Sequence, residues 1–439
     1  MSATRSTYPL NRLKWVTDPF RPITYGIVQA GDDVPDGVPY IRPVDMHDER
    51  GIRSTELRRT AHDIAAAYRR SEVRDGDVVV SIGPSYGKVM IVPTELKGAN
   101  LTQGTARVAP MGGQMDSRFL FWVLRSQSVT SQWAAQINAT TFGGLNLEPL
   151  ANTEIPHPDF QTQQAIASFL DCETARIDAL IEKKTRFIEL LREKRQALTT
   201  RTVTLGLVAN APTKDSGVSW LGSVPANWKV VALKHLVAVP ITDGPHETPT
   251  ACDDGIPFVS AEALSTGQID FAKIWGFISA EDDSRFGRKY RPQRGDIYMV
   301  KSGATTGVTA IVDTDMAFNI WSPLAAIRCN EEILPHYLLS YMRSRNFQEA
   351  IALNWSFGTQ QNIGMGVIGN LRVAVPPLPE QEQALELLSS TGNRVEALIQ
   401  SVSRSISLLR ERRAALITAA VTGQIDVRAK VPDEEAEPA

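Results

Sequence analysis

Apolar residues recur at spacings of three and four along two long stretches of this chain. The first carries Ile166, Phe169, Ile177, Leu180, Phe187, Leu191 and Leu198, and the second carries Leu387, Val395, Leu398, Leu409 and Leu416. That period predicts two helices of about 40 residues each without an internal proline, ending near Leu205 and Val421. Asp159 is a suitable N-cap for the first, and Pro379 falls in the first turn of the second. A stripe this narrow fits a two-helix seam better than a globular core, and the globular block between the two helices requires them to pair antiparallel. The seam is assigned to Ile177, Leu180, Leu191 and Leu198 on one helix and to Val395, Leu398, Leu409 and Leu416 on the other. Such a helix is roughly 60 Å long.

Elsewhere the apolar pattern is short and β-branched, as in Val78–Val80, Val89–Val92, Ile256–Val259 and Thr309–Val312, with glycine and proline between the runs. These are strand and turn signals, interrupted in each half by a short apolar helix at 117–126 and at 335–344. The two halves repeat one another. Arg176-Ile-Asp-Ala-Leu-Ile181 returns as Arg394-Val-Glu-Ala-Leu-Ile399, a shift of 218 residues, and 13 of the 23 positions from 176 to 198 are identical under it. Asp36-Gly-Val-Pro39 returns as Asp254-Gly-Ile-Pro257 at the same shift, and Arg74-Asp-Gly-Asp77 returns as Gln293-Arg-Gly-Asp296 with one residue inserted. A half-chain repeat means two copies of one architecture joined head to tail. The expected fold class is therefore α+β/α: two pseudo-symmetric α/β domains separated by a long antiparallel two-helix coiled coil. The expected layout is a first block at 1–158, a helix at 159–205, a linker at 206–224, a second block at 225–378, a helix at 379–424 and a disordered acidic tail at 425–439.

Net charge is −3, which argues against a chain that binds polyanions on bulk charge alone. The basic side chains are local instead. Residues 182–201 carry seven Lys or Arg against three Glu, and Arg404, Arg410, Arg412 and Arg413 oppose only Glu411. The three cysteines lie far apart without a CxxC spacing, so neither a disulfide framework nor a zinc site is encoded. No stretch is long and apolar enough to span a bilayer, and the first residues lack the apolar core of a signal peptide. The expected location is the cytoplasm, with no membrane contact.

Gly83-Pro-Ser-Tyr-Gly87-Lys88 has three residues between its glycines where a nucleotide-binding loop needs four, and Val89 replaces the hydroxyl that would hold magnesium. Its counterpart, Gly303-Ala-Thr-Thr-Gly307, lacks the lysine. What the two share is a tight turn with exposed backbone N–H groups, which rests on a DNA phosphate or simply joins two strands. Ser85, Tyr86 and Lys88, with Lys301, Ser302, Thr305 and Thr306, are candidate DNA contacts on these turns. Thr141 and Asn146 in the first block, and Gln360, Gln361 and Asn362 in the second, are polar clusters able to reach base edges, amides suiting adenine and arginines guanine. A competing reading is a magnesium-dependent nuclease, because Asp77, Glu95 and Lys97 approach the acid, acid, lysine pattern of phosphodiester hydrolysis. The second copy has Asp296, Asp315 and Ala317 there, without the lysine. A base methyltransferase would need an Asn/Asp-Pro-Pro-aromatic loop; Val375-Pro-Pro-Leu378 has neither flank, so no catalytic centre is expected.

Val375-Pro-Pro-Leu-Pro-Glu-Gln381, leading into the second helix, resembles the hallmark of the specificity (S) subunit of type I restriction-modification enzymes. So does the linker Lys214-Asp-Ser-Gly-Val-Ser-Trp-Leu-Gly-Ser-Val-Pro-Ala-Asn-Trp228, and Ser356-Phe-Gly-Thr-Gln-Gln-Asn362 is similar to a loop of that family. The first half departs from the pattern, with Thr162 where Glu380 stands and a shortened loop at Thr141-Phe-Gly-Gly-Leu-Asn146. The resemblance covers nearly the whole chain. It implies two target-recognition domains, each reading one half of a bipartite site in double-stranded DNA, held apart by the paired helices. It also implies a chain with no activity or cofactor of its own. Two methyltransferase subunits using S-adenosylmethionine on adenine, and two restriction subunits using ATP and magnesium, would be its partners. The same module in another phage-defence methyltransferase system is the nearest alternative.

Overall fold

The first long helix runs from Phe160 to Leu205 and the second from Leu378 to Val421. Local chemistry sets both ends. Asp159 accepts hydrogen bonds from the Thr162 backbone N–H and hydroxyl, which satisfies a first-turn donor, and Pro379 removes one where no intrahelical acceptor exists. Gly206 and Gly423, at φ 75° and 76°, take the left-handed conformation that ends each helix. The structure, a computed structural model, describes residues 6–47, 56–137, 143–354, 356–357 and 361–427. The acidic run Asp433–Glu437 lies outside the described residues.

The sheets repeat strand for strand. In the first block, Val38–Ile41 lies between Arg59–Thr60, antiparallel, and Asn100–Leu101, parallel. In the second, Ile256–Val259 lies between Gly276–Ile278, antiparallel, and Asn319–Ile320, parallel. A four-stranded antiparallel sheet follows in each: Thr24–Tyr25, Thr105–Val108, Val78–Ser81 and Val89–Ile91, then Thr242–Asp243, Leu324–Ile327, Ile297–Val300 and Thr309–Ile311. A two-stranded ribbon closes each block, Leu10–Arg12 with Glu154–Pro156 and Lys229–Ala232 with Arg372–Val375.

Val78–Val80 and Ile297–Val300 are apolar without alternation because both faces of their strands are buried. Val78 and Val80 enter a core with Phe119, Leu120 and Trp133, while Val79 packs with Met90, Leu96 and Leu101. Ile297 and Met299 enter a core with Tyr337 and Phe347, while Tyr298 and Val300 join Val259, Phe318 and Leu324. Close approach of backbone requires glycine at several positions, most tightly at an equivalent pair. A Cβ on Gly26 would lie 1.9 Å from the Leu101 carbonyl oxygen, and one on its counterpart Gly244 would lie 1.9 Å from that of Ile320.

The chain divides into two compact units, residues 1–185 with 403–439, and residues 186–402. Each unit holds one block, the near end of the helix that follows it, and the far end of the other helix. In the first unit, Ile166, Ala167 and Leu170 share the core of Leu120 and Trp122 with Ile417, Ala420 and Val421. In the second, Ala384 and Val203 share a core with Tyr337 and Phe347. Within each unit the two helix segments run antiparallel. Arg413 pairs with Asp178 at 2.9 Å in one, and Arg195 lies 3.8 Å from Glu396 in the other.

The structure moves part of the seam. Ile177, Leu191 and Val395 are buried, but Leu180 is 43% and Leu398 47% exposed, and Leu198, Leu409 and Leu416 are half-buried. Ile188, Ile399 and Ile406 are buried in the stripe instead. Two adjacent rows on one helix both satisfy the three-and-four spacing, and the sequence pattern favours whichever holds the larger side chains.

A buried glutamine anchors each helix to its block. The Gln163 amide accepts from the Asp116 N–H at 2.9 Å and donates to the Gln114 and Pro158 carbonyls, both at 2.9 Å. Gln381 repeats all three bonds at a shift of 218: it accepts from the Leu334 N–H at 2.8 Å and donates to Glu332 and Pro376, both at 2.9 Å. The far helix ends are pinned the same way, Thr418 accepting from the Gln127 N–H and Thr200 from the Arg345 N–H, both at 3.0 Å. Glu380 also accepts from Asn227 and from the Trp228 indole at 2.8 Å each, whereas Thr162, at the equivalent position, bonds Asp159. Replacing Gln381 by methionine keeps the volume and strands one N–H and two carbonyls out of water. We expect a loss of about 3 kcal/mol in urea unfolding followed by tryptophan fluorescence, with Gln163→Met costing a similar amount.

Candidate nucleic-acid interface

Each unit brings a glycine turn against the segment that carries its polar cluster. In the first, the turn is closed by Gly87 N–H to the Ser81 carbonyl at 3.1 Å and by Lys88 N–H to the Ser81 hydroxyl at 2.9 Å. Gly87 has φ 91° with open space around it, so backbone conformation, not crowding, demands glycine there. A Cβ on Gly144 would lie 3.0 Å from the Ile82 carbonyl oxygen, which places the 143–146 segment against this turn. Asn146 is exposed at the head of helix Leu147–Ala151.

The second unit builds the same pair of parts. Gly307 N–H donates to the Val300 carbonyl at 2.8 Å, and Gly303 and Gly307 take φ 101° and 94°. Ser302 bridges antiparallel to Asn362, Ile363 N–H donates to the Lys301 carbonyl at 2.9 Å, and Gln361–Asn362 pairs with Ser356–Phe357 as a hairpin. Asn362 is exposed. Thr141 and Gln360, and the side chain of Gln361, lie outside the described residues.

Of the hydroxyl and lysine candidates, Ser85 is exposed, and Tyr86, Ser302 and Thr305 are half-buried. Thr306 donates to the Gly303 carbonyl at 2.7 Å within its own turn. Both lysines are turned to internal work. The Lys88 ammonium donates to the Pro43 carbonyl at 2.8 Å. Lys301 keeps only 12% side-chain exposure and lies 3.3 Å from Asp243, so its charge answers a buried carboxylate and is not offered to a phosphate.

Sequence reasoning passed over Asp243. Its carboxylate accepts from the Lys289 ammonium at 2.5 Å and lies 3.1 Å from His246 Nε2. Burial works to raise its pKa, but the lysine hydrogen bonds and charges outweigh burial and hold it below the usual carboxylate value. The signal was present in the residue before Gly244, where the first half has Tyr25 before Gly26.

The nuclease reading fails on geometry. Asp77 is 2% exposed; its oxygens accept from both Arg21 guanidinium nitrogens, Nη1 at 2.8 Å, and from the Arg74 N–H at 2.6 Å. Glu95 and Lys97 sit at the surface on a separate turn. Asp296 is built the same way, accepting Arg328 through two 2.7 Å bonds, the Gln293 N–H at 2.8 Å and the Tyr290 hydroxyl at 2.5 Å. Burial and this acceptor push the Tyr290 hydroxyl far above its ordinary pKa. A buried carboxylate whose two oxygens are clamped by a guanidinium and a backbone N–H braces a turn and is not presented to a metal. No group of three His, Cys, Asp or Glu able to hold a metal occurs among the described residues. Arg21→Ala should therefore cost about 3–5 kcal/mol by leaving a buried charge unpaired. Lys97→Ala, at an exposed side chain, should change stability by less than about 0.5 kcal/mol, and chemical denaturation of both variants checks the contrast.

Among the described residues no helix is long and apolar enough to cross a membrane. A family model of the type I restriction modification DNA specificity domain matches residues 29–190 and again 225–404. The chain is 32% identical over 166 residues to the type I restriction enzyme EcoBI specificity subunit of Escherichia coli, a stretch covering 37% of this chain and 34% of that relative. It is 24% identical over 325 residues to the MjaVIII specificity subunit of Methanocaldococcus jannaschii, covering 72% and 71%. A chain solved in a study of complex assembly and conformational transition of the type I R-M system superposes with a TM-score of 0.70 at 18% identity, over 96% of this chain and 100% of that one. At that identity the likeness is one of fold.

Proposed function

This chain belongs to the type I restriction modification DNA specificity family, and we propose that it is the non-catalytic reader of such a complex, each unit recognising one half of a bipartite DNA site. The observation that carries the reading is the repeated assembly of a glycine turn beside an amide-bearing segment, on identical sheet topology but with different side chains in the two units. Like frames with unlike contact residues recognise an asymmetric sequence. Each reader adds its own discrimination, about 1–3 kcal/mol per mismatched base pair.

The two long helices act as the spacer that fixes the distance between half-sites, so blocks 1–158 and 225–378 are the target-recognition domains. They also dock the partners. Leu180 and Leu190 on the first helix and their counterparts Leu398 and Leu408 on the second are exposed apolar side chains related by the 218-residue shift, which suits two copies of one methyltransferase subunit. Those subunits would supply S-adenosylmethionine chemistry on adenine, and two restriction subunits would use ATP and magnesium. Since net charge is −3, the partners would contribute much of the phosphate contact.

Exchanging residues 225–375 for the corresponding block of another family member should change one half of the methylated motif, read by mapping methylated bases across a genome. A change in both halves would defeat the two-reader assignment. Deleting one heptad from a long helix should alter the half-site spacing or abolish methylation, and an unchanged motif with unchanged spacing would rule out the spacer role.

A further inference from the structure

A cavity of about 190 Å³ opens in the second unit between Asp243–Pro245, the helix Ala280–Gly287 and Asn319–Ile320. Phe286, Tyr290 and Ile320 give it apolar walls, and Arg285 and Lys289 also line it. Both cations are half-exposed, yet neither is loose. Arg285 is gripped by Glu247 at 2.6 Å through one terminal nitrogen and by Asp282 at 2.5 Å through the other, with its guanidinium 4.7 Å from the Phe286 ring centroid. Lys289 is held by Asp243, whose second oxygen faces Lys301 and His246. Asp243 thus links the cavity it lines to Lys301, the residue that leads into the glycine turn of the candidate interface.

The charge balance around these donors is the informative part. Three cations face three carboxylates: Arg285 takes both Glu247 and Asp282, while Lys289 and Lys301 share Asp243. A phosphate would feel little net attraction there, because every cation already faces a carboxylate. A neutral acceptor needs no net charge, only donors fixed in position with hydrogens to spare. Lys289 has three ammonium hydrogens, and Arg285 has five N–H donors in a planar fork. Among base edges, the major-groove edge of guanine, with O6 and N7 both acceptors, matches adjacent Arg and Lys donors.

We propose that this rim is a guanine-reading site of the second unit, with Arg285 and Lys289 as its specificity-determining residues. The first unit has no equivalent device at the matching strand, where Tyr25, Val28 and Gln29 stand in place of Asp243, His246 and Glu247. One half-site is thus read by pre-positioned cations and the other by different chemistry. This rests on the two-reader function above, and the test separates the two.

The chain is expressed with its methyltransferase subunits as wild type, Lys289→Met and Arg285→Ala, and methylated bases are mapped genome-wide. In the wild type, the half-site assigned to the second unit should contain a fixed guanine. In each variant that one position should accept other bases, with methylation at the non-guanine sites rising about tenfold or more and the other half-site unchanged. Uniformly weaker methylation with an unrelaxed motif would make the rim a phosphate contact and overturn the proposal, as would an unchanged motif. A wild-type motif that is not bipartite would instead defeat the function on which the proposal rests. Lys289→Met leaves the buried Asp243 with Lys301 and His246 only, so urea unfolding of both variants is measured alongside; Arg285→Ala, whose side chain is half-exposed, gives the readout independently of Asp243.

Discussion

One buried amide in each half decides where a long helix leaves its globular block, and everything the chain does at a distance depends on it. Gln163 and Gln381 are fully enclosed, and each makes the same three bonds to the same three backbone groups. A glutamine side chain in a dry site is tolerable only when its donors and acceptor are met, and that requirement admits one orientation of helix against block. Hydrophobic contact alone would allow the helix to slide or roll. Three directional bonds do not.

The carboxylates show how similar frames are braced by unrelated means. Asp77 and Asp296 close the same tight turn, yet the guanidinium comes from Arg21, ahead of the four-stranded sheet, in one case and from Arg328, at the end of its second strand, in the other. What is kept is the geometry of a buried acid accepting a backbone N–H and two guanidinium hydrogens. The residue that supplies it is free to move along the chain. A search for motifs sees the acid and misses the brace, which is how Asp77 came to look like a metal ligand.

Much of the architecture was legible in the sequence because it is carried by period and repetition. The helices, their ends and the half-chain shift follow from apolar spacing, Asp159, Pro379 and glycine positions. The seam was legible only to within one residue of rotation: Leu180 and Leu398 compete with Ile188, Ile399 and Ile406 under the same spacing, and only packing separates the rows. The interface was less legible. Lys301 looks like a phosphate ligand until Asp243, 58 positions earlier, is seen to hold it. Pairings between distant residues have no local signature. The glycine turns were found because left-handed backbone leaves one in the sequence.

The division of the chain into units has a temporal side. Residues 186–402 form one unbroken segment, so the second unit is complete as soon as that stretch exists. The first unit is interrupted: its core needs Ile417, Ala420 and Val421, and its Gln127 N–H needs Thr418. A ribosome therefore releases residues 1–185 about 220 residues before the strip that seals them. Through that interval Ile166, Leu170 and Trp122 wait without the helix end that covers them, so the birth order of the two units runs opposite to their order in the gene.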